Sequence, residues 1–193
     1  MSKISKYYNV TEKDEPRKNV KYFVENIKVN PTKVIDLGCG QGNDTVFLIK
    51  SGWRVLGIDR ENVEERIRKR LSEDKQDSFY FELQDFEKLI LTKTDLIVAN
   101  FSLSFCNNKK FKNTWNIIEE SILPGGYFVG NFLGNKDSWT KTKHKMTFLN
   151  IKEIKRMFEN FRIIKFDEIE NDKATALGSE KHWHFFNIIA KKQ

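Results

Sequence analysis

The stretch that decides the fold is Val34-Ile35-Asp36-Leu37-Gly38-Cys39-Gly40-Gln41-Gly42-Asn43. An apolar run is interrupted by an acidic residue, three glycines follow at alternate positions, and a helical pattern then begins. A turn of this kind uses glycine for positive φ and for close approach of a ligand to the main chain. The start of the next helix offers unpaired N–H groups. The stretch therefore predicts a nucleotide-type pocket at the carboxyl end of a first β-strand.

Length and composition predict one folded domain with a real core, since the chain has 193 residues, 39% of them hydrophobic and 13% aromatic. No apolar stretch approaches the ~18–20 residues that span a bilayer, and the polar N-terminus lacks the apolar segment of a secretory signal. The two cysteines form no metal or redox pattern and are typical of reduced thiols. We expect a cytoplasmic protein with no membrane partner and no metal.

The net charge of +7 comes from lysines scattered along the chain. A lysine-rich surface is favoured over a nucleic-acid footprint, and nucleic acid as a partner is disfavoured but stays open. The densest basic cluster is Lys136, Lys141, Lys143, His144 and Lys145.

Hydrophobic periodicity predicts strands that alternate with helices. The predicted strands are 33–37, 53–58, 78–83, 95–99, 127–132, 162–169 and 184–190. The helices that we predict after the glycine turn are 43–51, 61–71, 109–122 and one that begins at a capping box of Asn150 and Glu153. The alternation predicts a parallel, doubly wound sheet with right-handed crossovers. The last two strands are joined by a polar loop without a helical pattern and should be antiparallel.

The residues beside the glycine turn indicate its ligand. The turn reads G-x-G-x-G, whereas a dinucleotide fingerprint reads G-x-G-x-x-G, and no Gly-Lys-Ser/Thr follows as in a phosphate loop. Asp36 precedes the glycines and Asp44 follows them. Two carboxylates repel a pyrophosphate at close range but suit ammonium or sulfonium charge. S-adenosylmethionine carries both of these cations.

Further acids end the next two predicted strands. Asp59 lies at about the ~20-residue spacing expected for a ribose-binding acid, and its carboxylate can accept both ribose hydroxyls. Asp85 can accept from an adenine amino group, with Phe86 as an apolar wall. Three acids at three successive strand ends, beside one glycine turn, therefore predict a complete cofactor site.

These features resemble class I S-adenosylmethionine-dependent methyltransferases. The residues that carry the resemblance are Val34–Asn43, Asp59, Asp85 and the turn Leu123-Pro124-Gly125-Gly126. The resemblance implies an α/β, Rossmann-like, doubly wound seven-stranded sheet of order 3-2-1-4-5-7-6, mostly parallel with the seventh strand antiparallel. It also implies a single methyltransferase domain over 1–193, with an N-terminal lid and helix in 1–30 and the Rossmann-like core in 31–193.

The C-terminal part is similar to the small bacterial branch that contains tellurite-resistance-type methyltransferases. The segments that carry this likeness are Gly134-Asn135-Lys136-Asp137-Ser138-Trp139, Met146-Thr147-Phe148, Thr175-Ala176-Leu177-Gly178 and Lys181-His182-Trp183-His184. Acceptors in this branch are mostly undefined. The likeness suggests a chalcogen or thiol as methyl acceptor, and an amine acceptor stays open.

The resemblance also implies which residues bind S-adenosyl-L-methionine and its product S-adenosyl-L-homocysteine. Asp36 and the three glycines would contact the methionine part, Asp59 the ribose, and Asp85 with Phe86 the adenine. Arg17 would pair with the methionine carboxylate. The predicted cofactor-binding residues are Arg17, Asp36, Gly38, Cys39, Gly40, Gly42, Asn43, Asp59, Arg60, Asp85, Phe86 and Asn100.

The acceptor side is less constrained, because methyl transfer relies on alignment and needs a general base only if the acceptor must lose a proton. The segment Asn100-Phe101-Ser102-Leu103 lacks the Asn/Asp-Pro-Pro-Tyr motif of enzymes that methylate base amines. The predicted substrate-binding residues are Phe101, Ser102, Trp139 and Lys181.

His182 and His184 share one face of the last predicted strand, whose start we expect at the mouth of the pocket. They would act as a base, orient the acceptor, bind a metal or make structural hydrogen bonds. A metal would need a third ligand, and His144 is the only other histidine. Tyr8, with its neighbour Tyr7, belongs either to a lid or to ordinary packing. The catalytic candidates are therefore His182, His184 and Tyr8.

The sequence thus predicts a methyltransferase that acts on a small molecule. The alternatives are an RNA or protein methyltransferase and a non-catalytic module that binds S-adenosylmethionine. The oligomeric state stays open.

Overall fold

The computed structural model describes residues 3–141 and 145–193. Two members of the basic cluster, Lys143 and His144, lie outside the described residues. The helices are α1 (Lys3–Thr11), α2 (Lys18–Asn26), α3 (Asn43–Lys50), α4 (Glu64–Arg68), α5 (Asn108–Ser121) and α6 (Ile151–Met157). The strands are β1 (Lys33–Leu37), β2 (Arg54–Asp59), β3 (Phe79–Leu83), β4 (Thr94–Ala99), β5 (Ile122–Leu133), β6 (Phe161–Asp172) and β7 (His182–Lys192). Short 3-10 helices cover Glu73–Ser78, Phe86–Lys88, Leu103–Phe105 and Ser138–Lys141.

The strands form one seven-stranded sheet of order β3-β2-β1-β4-β5-β7-β6. Strands β1 to β5 pair in parallel, and β7 is antiparallel to both β5 and β6. The predicted sheet order and strand directions are confirmed. This topology brings the carboxyl ends of β1, β2 and β4 to the same edge as the start of β7.

Two apolar layers cover the sheet, as expected for a sheet with helices on both faces. One layer packs α5 and α6 on the sheet through aromatic side chains such as Trp115, Phe128 and Phe158. The other layer includes side chains of α1 to α4, among them Tyr8 and Phe23.

Several elements differ in length from the sequence prediction. Strands β6 and β7 extend to 12 and 11 residues. Their ends carry Glu170, Asp172 and His182, which pair across the hairpin. These polar ends gave no apolar signal for a strand. Helix α4 is only five residues long, and turns close after it through bonds from Arg70 to Ile67 and from Leu71 to Arg68.

Strand β5 begins five residues before its predicted start. Ile122 already pairs with Thr94, and Tyr127 then pairs with Leu96, so residues 123–126 bulge out of the ladder. The Pro-Gly-Gly turn expected after α5 is therefore a bulge within β5. The capping box of α6 is confirmed, since Asn150 Oδ1 accepts from the Glu153 N–H and the Asn150 N–H donates to Glu153 Oε2.

Among the described residues, no helix is long and apolar enough to cross a membrane.

Candidate cofactor and acceptor site

The glycine turn adopts the conformation that its sequence predicts. Gly38, Gly40 and Gly42 have φ values of 72°, 54° and 84°, in the left-handed region that favours glycine. A Cβ atom on Gly38 would lie 2.4 Å from Ser102 Cβ, and one on Gly42 would lie 2.5 Å from Ile67 Cγ1. The turn therefore requires glycine at these two positions both for its backbone angles and for its packing.

Two buried carboxyl groups flank the turn. Asp36 Oδ2 accepts a hydrogen bond of 2.6 Å from the Thr45 hydroxyl. Burial, together with the charges of Asp44 and Asp59, raises the pKa of Asp36 to about 8. Burial also raises the pKa of Asp44, although the Arg17 N–H and Asn100 donate to its oxygens and oppose the shift. These acids are held where a cationic ligand would favour their charged forms.

Asp59 is buried at the end of β2 and accepts from three directions. The Gly40 N–H donates to Oδ2 at 2.9 Å, and the Glu61 N–H donates to Oδ1 at 3.0 Å. The Tyr8 hydroxyl lies 3.5 Å from the same Oδ1. The two backbone donors fix the carboxylate beside the glycine turn.

Tyr8 belongs to the site but is poorly suited to act as a base. Its side chain is buried, and its ring packs against Gly40, where an added Cβ would meet it at 3.5 Å. Burial and the nearby Asp59 charge raise the pKa of Tyr8 well above its ordinary value. The hydroxyl therefore stays protonated and acts as a donor.

Phe86 and Asp85, the two residues predicted to bind adenine, lie in different surroundings. The Phe86 ring lies 3.2 Å from the position of a Cβ on Gly38 and forms a wall of the turn. Asp85 is exposed at the same edge of the sheet, just before a 3-10 helix. Arg60 is also exposed, and its side chain lies 4.0 Å from Glu61.

Cys39 is a buried filler inside the turn. Its sulfur lies 3.1 Å from the position of a Cβ on Gly57, and burial raises the pKa of its thiol well above the ordinary value. The main chain of Cys39 joins the turn to β2, since the Cys39 N–H donates to the Ile58 carbonyl.

A network of asparagines ties α2 and α3 to the ends of β4 and β5. Asn100 Oδ1 accepts from Asn19 at 2.7 Å and from Asn131 at 3.2 Å. Asn100 Nδ2 donates to Asp44 at 2.8 Å. The sequence prediction missed Asn19 and Asn131, although an asparagine within the apolar run 127–133 is a signal for a buried polar contact.

The network also holds the main chain of Phe101. Asn131 Oδ1 accepts from the Phe101 N–H at 2.8 Å. Among the described residues, Phe101 is the one non-glycine residue with positive φ, at 48°. Such a conformation persists only where its surroundings enforce it, and it is common at functional sites.

Arg17 immediately precedes α2 and contacts both Asp44 and Phe101. Its N–H donates to Asp44 Oδ1 at 2.7 Å, and its guanidinium lies 5.0 Å from the centre of the Phe101 ring. The side chain thus extends over the residue that follows β4. This position lies between the glycine turn and the predicted acceptor side.

Four half-buried aromatic residues lie on the predicted acceptor side, and we call them the aromatic wall: Phe101, Trp139, Trp183 and Phe185. The Phe101 ring centre lies 5.7 Å from that of Trp183 and 5.2 Å from that of Phe185. Trp139 extends the wall at 5.7 Å from Trp183. The sequence prediction named Phe101 and Trp139 but missed the two residues of β7.

Lys181 supports the aromatic wall from within the protein. Its ammonium is ion-paired with Asp137, and both side chains are almost fully buried. The same ammonium lies 4.1 Å from the Trp139 ring centre and 4.4 Å from that of Trp183. Lys181 therefore fastens the loop after β5 to the start of β7, and its charge is already balanced.

The two histidines lie on the other face of β7. Strand alternation places their side chains opposite Trp183 and Phe185. His184 is buried, with Nε2 2.9 Å from Glu168, and an added Cβ on Gly134 would lie 1.9 Å from its ring. His182 lies 2.7 Å from Asp172.

This arrangement differs from the expected position of the histidines at the pocket mouth. They share a face as predicted, but that face carries the carboxylates of β6, and the side chains toward Phe101 are aromatic. In residues 3–141 and 145–193, no group of three His, Cys, Asp or Glu side chains is placed to hold a metal.

The sheet order, with its antiparallel β7 and the glycine turn at the end of β1, defines the Rossmann-like fold of class I S-adenosylmethionine-dependent methyltransferases. Within that class, the chain belongs to the family described as tellurite resistance protein TehB, whose model matches residues 3–182.

Individual relatives agree with this assignment. The chain is 22% identical over 169 residues to a Haemophilus influenzae (strain 10810) protein named "Probable S-adenosyl-L-methionine-dependent methyltransferase TehB", covering 86% of this chain and 59% of that protein. The chain therefore spans about three fifths of the length of this curated relative.

Solved structures share the fold. The crystal structure of TehB from H. influenzae superposes with a TM-score of 0.79 at 21% identity, covering 98% of this chain and 66% of that one. The 1,6-didemethyltoxoflavin-N1-methyltransferase of Burkholderia thailandensis, solved with 1,6-didemethyltoxoflavin and S-adenosylhomocysteine bound, gives 0.71 at 14% identity, covering 100% and 92%.

Proposed function

We propose that this protein is an S-adenosylmethionine-dependent methyltransferase that acts on a small-molecule acceptor. The observation that carries the proposal is the set of three buried acids, Asp36, Asp44 and Asp59, around a turn of left-handed glycines. Family membership and the name of the H. influenzae relative support the same activity.

The side chains around the turn fit this cofactor chemically. Asp36 and Asp44 carry raised pKa values, so a bound ammonium and sulfonium would stabilise their charged forms. Three buried polar atoms beside the turn have no hydrogen-bond partner within the part of the chain that the structure describes: Gln41 Oε1, Asn43 Oδ1 and Ser102 Oγ. Buried groups of this kind are uncommon and are satisfied by a polar ligand or by water.

Each part of the site has a role in this proposal. Asp36 and the glycine turn hold the methionine part, Asp59 accepts the ribose hydroxyls, and Phe86 with Asp85 borders the adenine. The unpaired Ser102 hydroxyl lies 3.2 Å from the position of a Cβ on Gly38, so we now assign Ser102 to the cofactor side.

When bound, the cofactor supplies an electrophilic methyl group for an in-line displacement. The chain contributes by binding, by orienting both reactants and by excluding water. The strained Phe101 contacts Arg17 on one side and the other residues of the aromatic wall, Trp183 and Phe185, on the other, and it would set the position of the acceptor relative to the turn. Proton transfer by Tyr8 or the histidines is no part of this proposal.

The aromatic wall favours a small acceptor with an apolar or planar surface, whose reacting atom is a thiol sulfur, another chalcogen or an amine nitrogen. Aromatic side chains bind such surfaces over a large area. Arg17, stacked on Phe101, can pair with an anionic group of the acceptor or with the methionine carboxylate.

Titration calorimetry with S-adenosylhomocysteine tests the donor site. We expect binding, and we expect Asp59→Asn to weaken it roughly 10- to 100-fold, because hydrogen bonds to a charged group are worth about 1.5–3 kcal/mol. Asp172→Asn, in the exposed end of the β6–β7 hairpin, is the matched control and should leave the affinity unchanged. Absence of binding at millimolar ligand would refute the proposal.

Turnover separates an enzyme from a binding module. Transfer of a labelled methyl group to a panel of small thiols, selenols and amines is expected for at least one compound. Cofactor binding without any transfer on such a panel would favour a non-catalytic module. Salt-dependent retention on RNA together with RNA labelling would instead support the nucleic-acid alternative.

A further inference from the structure

The carboxylate of Asp59 has a limited capacity for hydrogen bonds. Its two oxygens offer about four lone-pair sites in total. The Gly40 N–H, the Glu61 N–H and the Tyr8 hydroxyl occupy three of these sites. Only one site is left, whereas the two hydroxyls of a ribose require two.

The three donors are not equally fixed. Gly40 and Glu61 donate from the main chain at 2.9 and 3.0 Å. Gly40 lies within the turn itself, and Glu61 lies just after β2. The Tyr8 oxygen lies at 3.5 Å, well beyond the 2.5–3.0 Å of ordinary O–H···O bonds. Tyr8 is therefore the donor that yields most easily.

The ring of Tyr8 adds a steric conflict. It packs on Gly40, the glycine at the centre of the turn. A ligand that uses this turn through close approach to its main chain needs the same surface. Both the hydroxyl and the ring of Tyr8 therefore overlap with the place where a ribose would meet Asp59.

Helix α1 carries Tyr8 and is attached to the turn mainly at its end. The Thr11 carbonyl accepts from Gln41 Nε2 at 2.6 Å and from Asn43 Nδ2 at 2.9 Å. Two residues earlier in the helix, Asn9 Oδ1 accepts from the half-buried Arg66 at 2.8 Å. Thr11 therefore anchors the carboxyl end of α1 to the turn, while Ile4, Tyr7 and Tyr8 pack against the apolar core.

We propose that Tyr8 and the cofactor's ribose compete for Asp59, so that α1 is a gate that withdraws from the glycine turn when the cofactor binds. The inference rests on the proposed function, because it takes S-adenosylmethionine or its product as the ligand. It assigns α1 an action opposite to that of a lid that closes over the cofactor.

The affinity of Tyr8→Phe for S-adenosylhomocysteine is the first measurement. Removing the competing hydroxyl should tighten binding about three- to tenfold, in line with one modest hydrogen bond. Tyr7→Phe, on the adjacent half-buried ring, is the matched control and should bind like the wild type. Unchanged or weaker binding by Tyr8→Phe would overturn the inference.

Amide hydrogen exchange of wild-type residues 3–11 is the second measurement. Saturating S-adenosylhomocysteine should accelerate exchange in α1 while it slows exchange in the glycine turn. Protection or no change in α1 would contradict a gate that withdraws. If neither the wild type nor Tyr8→Phe binds the ligand, the proposed function itself fails, and the inference fails with it.

Discussion

The proposed donor side and the proposed acceptor side of this site are built in different ways. The donor side is centred on one continuous segment, Val34–Asn43, with an acid at the end of β2 and an aromatic ring after β3. The acceptor side brings together residues from β4, the loop after β5 and the start of β7. The first is polar and backbone-based, whereas the second is aromatic and depends on side-chain packing. A substitution on one side should therefore differ from a substitution on the other in its effects on stability and on cofactor binding.

The largest effect is expected on the acceptor side, for Lys181→Met. Removing one partner of a buried ion pair leaves Asp137 uncompensated and costs about 3–5 kcal/mol of unfolding free energy. The control is Lys165→Met, which breaks the part-exposed pair with Asp167 and should cost about 1 kcal/mol or less. Denaturant unfolding measures both.

The same variant tests the separation of the two sides. Lys181→Met should retain its affinity for S-adenosylhomocysteine at temperatures where it is folded. A strong loss of that affinity would show that the aromatic wall and the cofactor site are one unit.

The next effect is on the donor side, for Gly38→Ala. The alanine would be held at positive φ, and its Cβ would clash with Ser102. We therefore expect about 2–4 kcal/mol of destabilisation together with loss of cofactor binding. Gly178→Ala is the control, since Gly178 has a φ of 84° but no heavy atom of residues 3–141 and 145–193 lies within 4 Å of the added Cβ. It should cost only about 1 kcal/mol. Equal costs would mean that the close packing of the turn is unimportant.

The smallest effect is a pH dependence on the donor side. The pKa of Asp36 is raised to about 8, so its carboxyl is mostly protonated at pH 6 to 7. A cationic ligand prefers the ionised form, and binding of S-adenosylmethionine should strengthen up to about tenfold per pH unit until pH 8 and then level off. Calorimetry at pH 6, 7, 8 and 9 measures the slope. Asp36→Asn should lack it, and an unaltered slope in that variant would contradict the assignment.

The same shift has the opposite consequence for folding. The folded-state pKa of Asp36 lies above its ordinary value of 3.8. Between about pH 4 and 8 the unfolded chain has lost a proton that the folded chain retains. The contribution of Asp36 to stability therefore decreases as pH rises through this window.

The sequence was informative where the chemistry is local. The glycine turn, Asp59 and the alternation of strands and helices each appear within short segments. The alternation predicted the sheet, and the glycine turn has the left-handed conformation that its sequence predicts. The polar end of β6 was missed because β6 is an edge strand of the sheet, and such strands carry charged residues. The polar start of β7 was missed with it, because it pairs with this end of β6.

The acceptor side was harder to predict because it depends on tertiary contacts. Spacing placed His182 and His184 on one face of a strand, but periodicity alone does not say which face meets the pocket. Trp183 and Phe185, at the alternate positions, contact Phe101 instead. The asparagine network and the burial of Lys181 likewise depend on residues that lie far apart in the chain.

The contacts of Asn100 define a boundary for building chimeras from related chains. Its side chain receives hydrogen bonds from α2 and β5 and donates one to α3. A graft that replaces the acceptor loop after β4 should therefore start after this residue. The donor half would then keep its own junction, and only the segment that meets the acceptor would be exchanged.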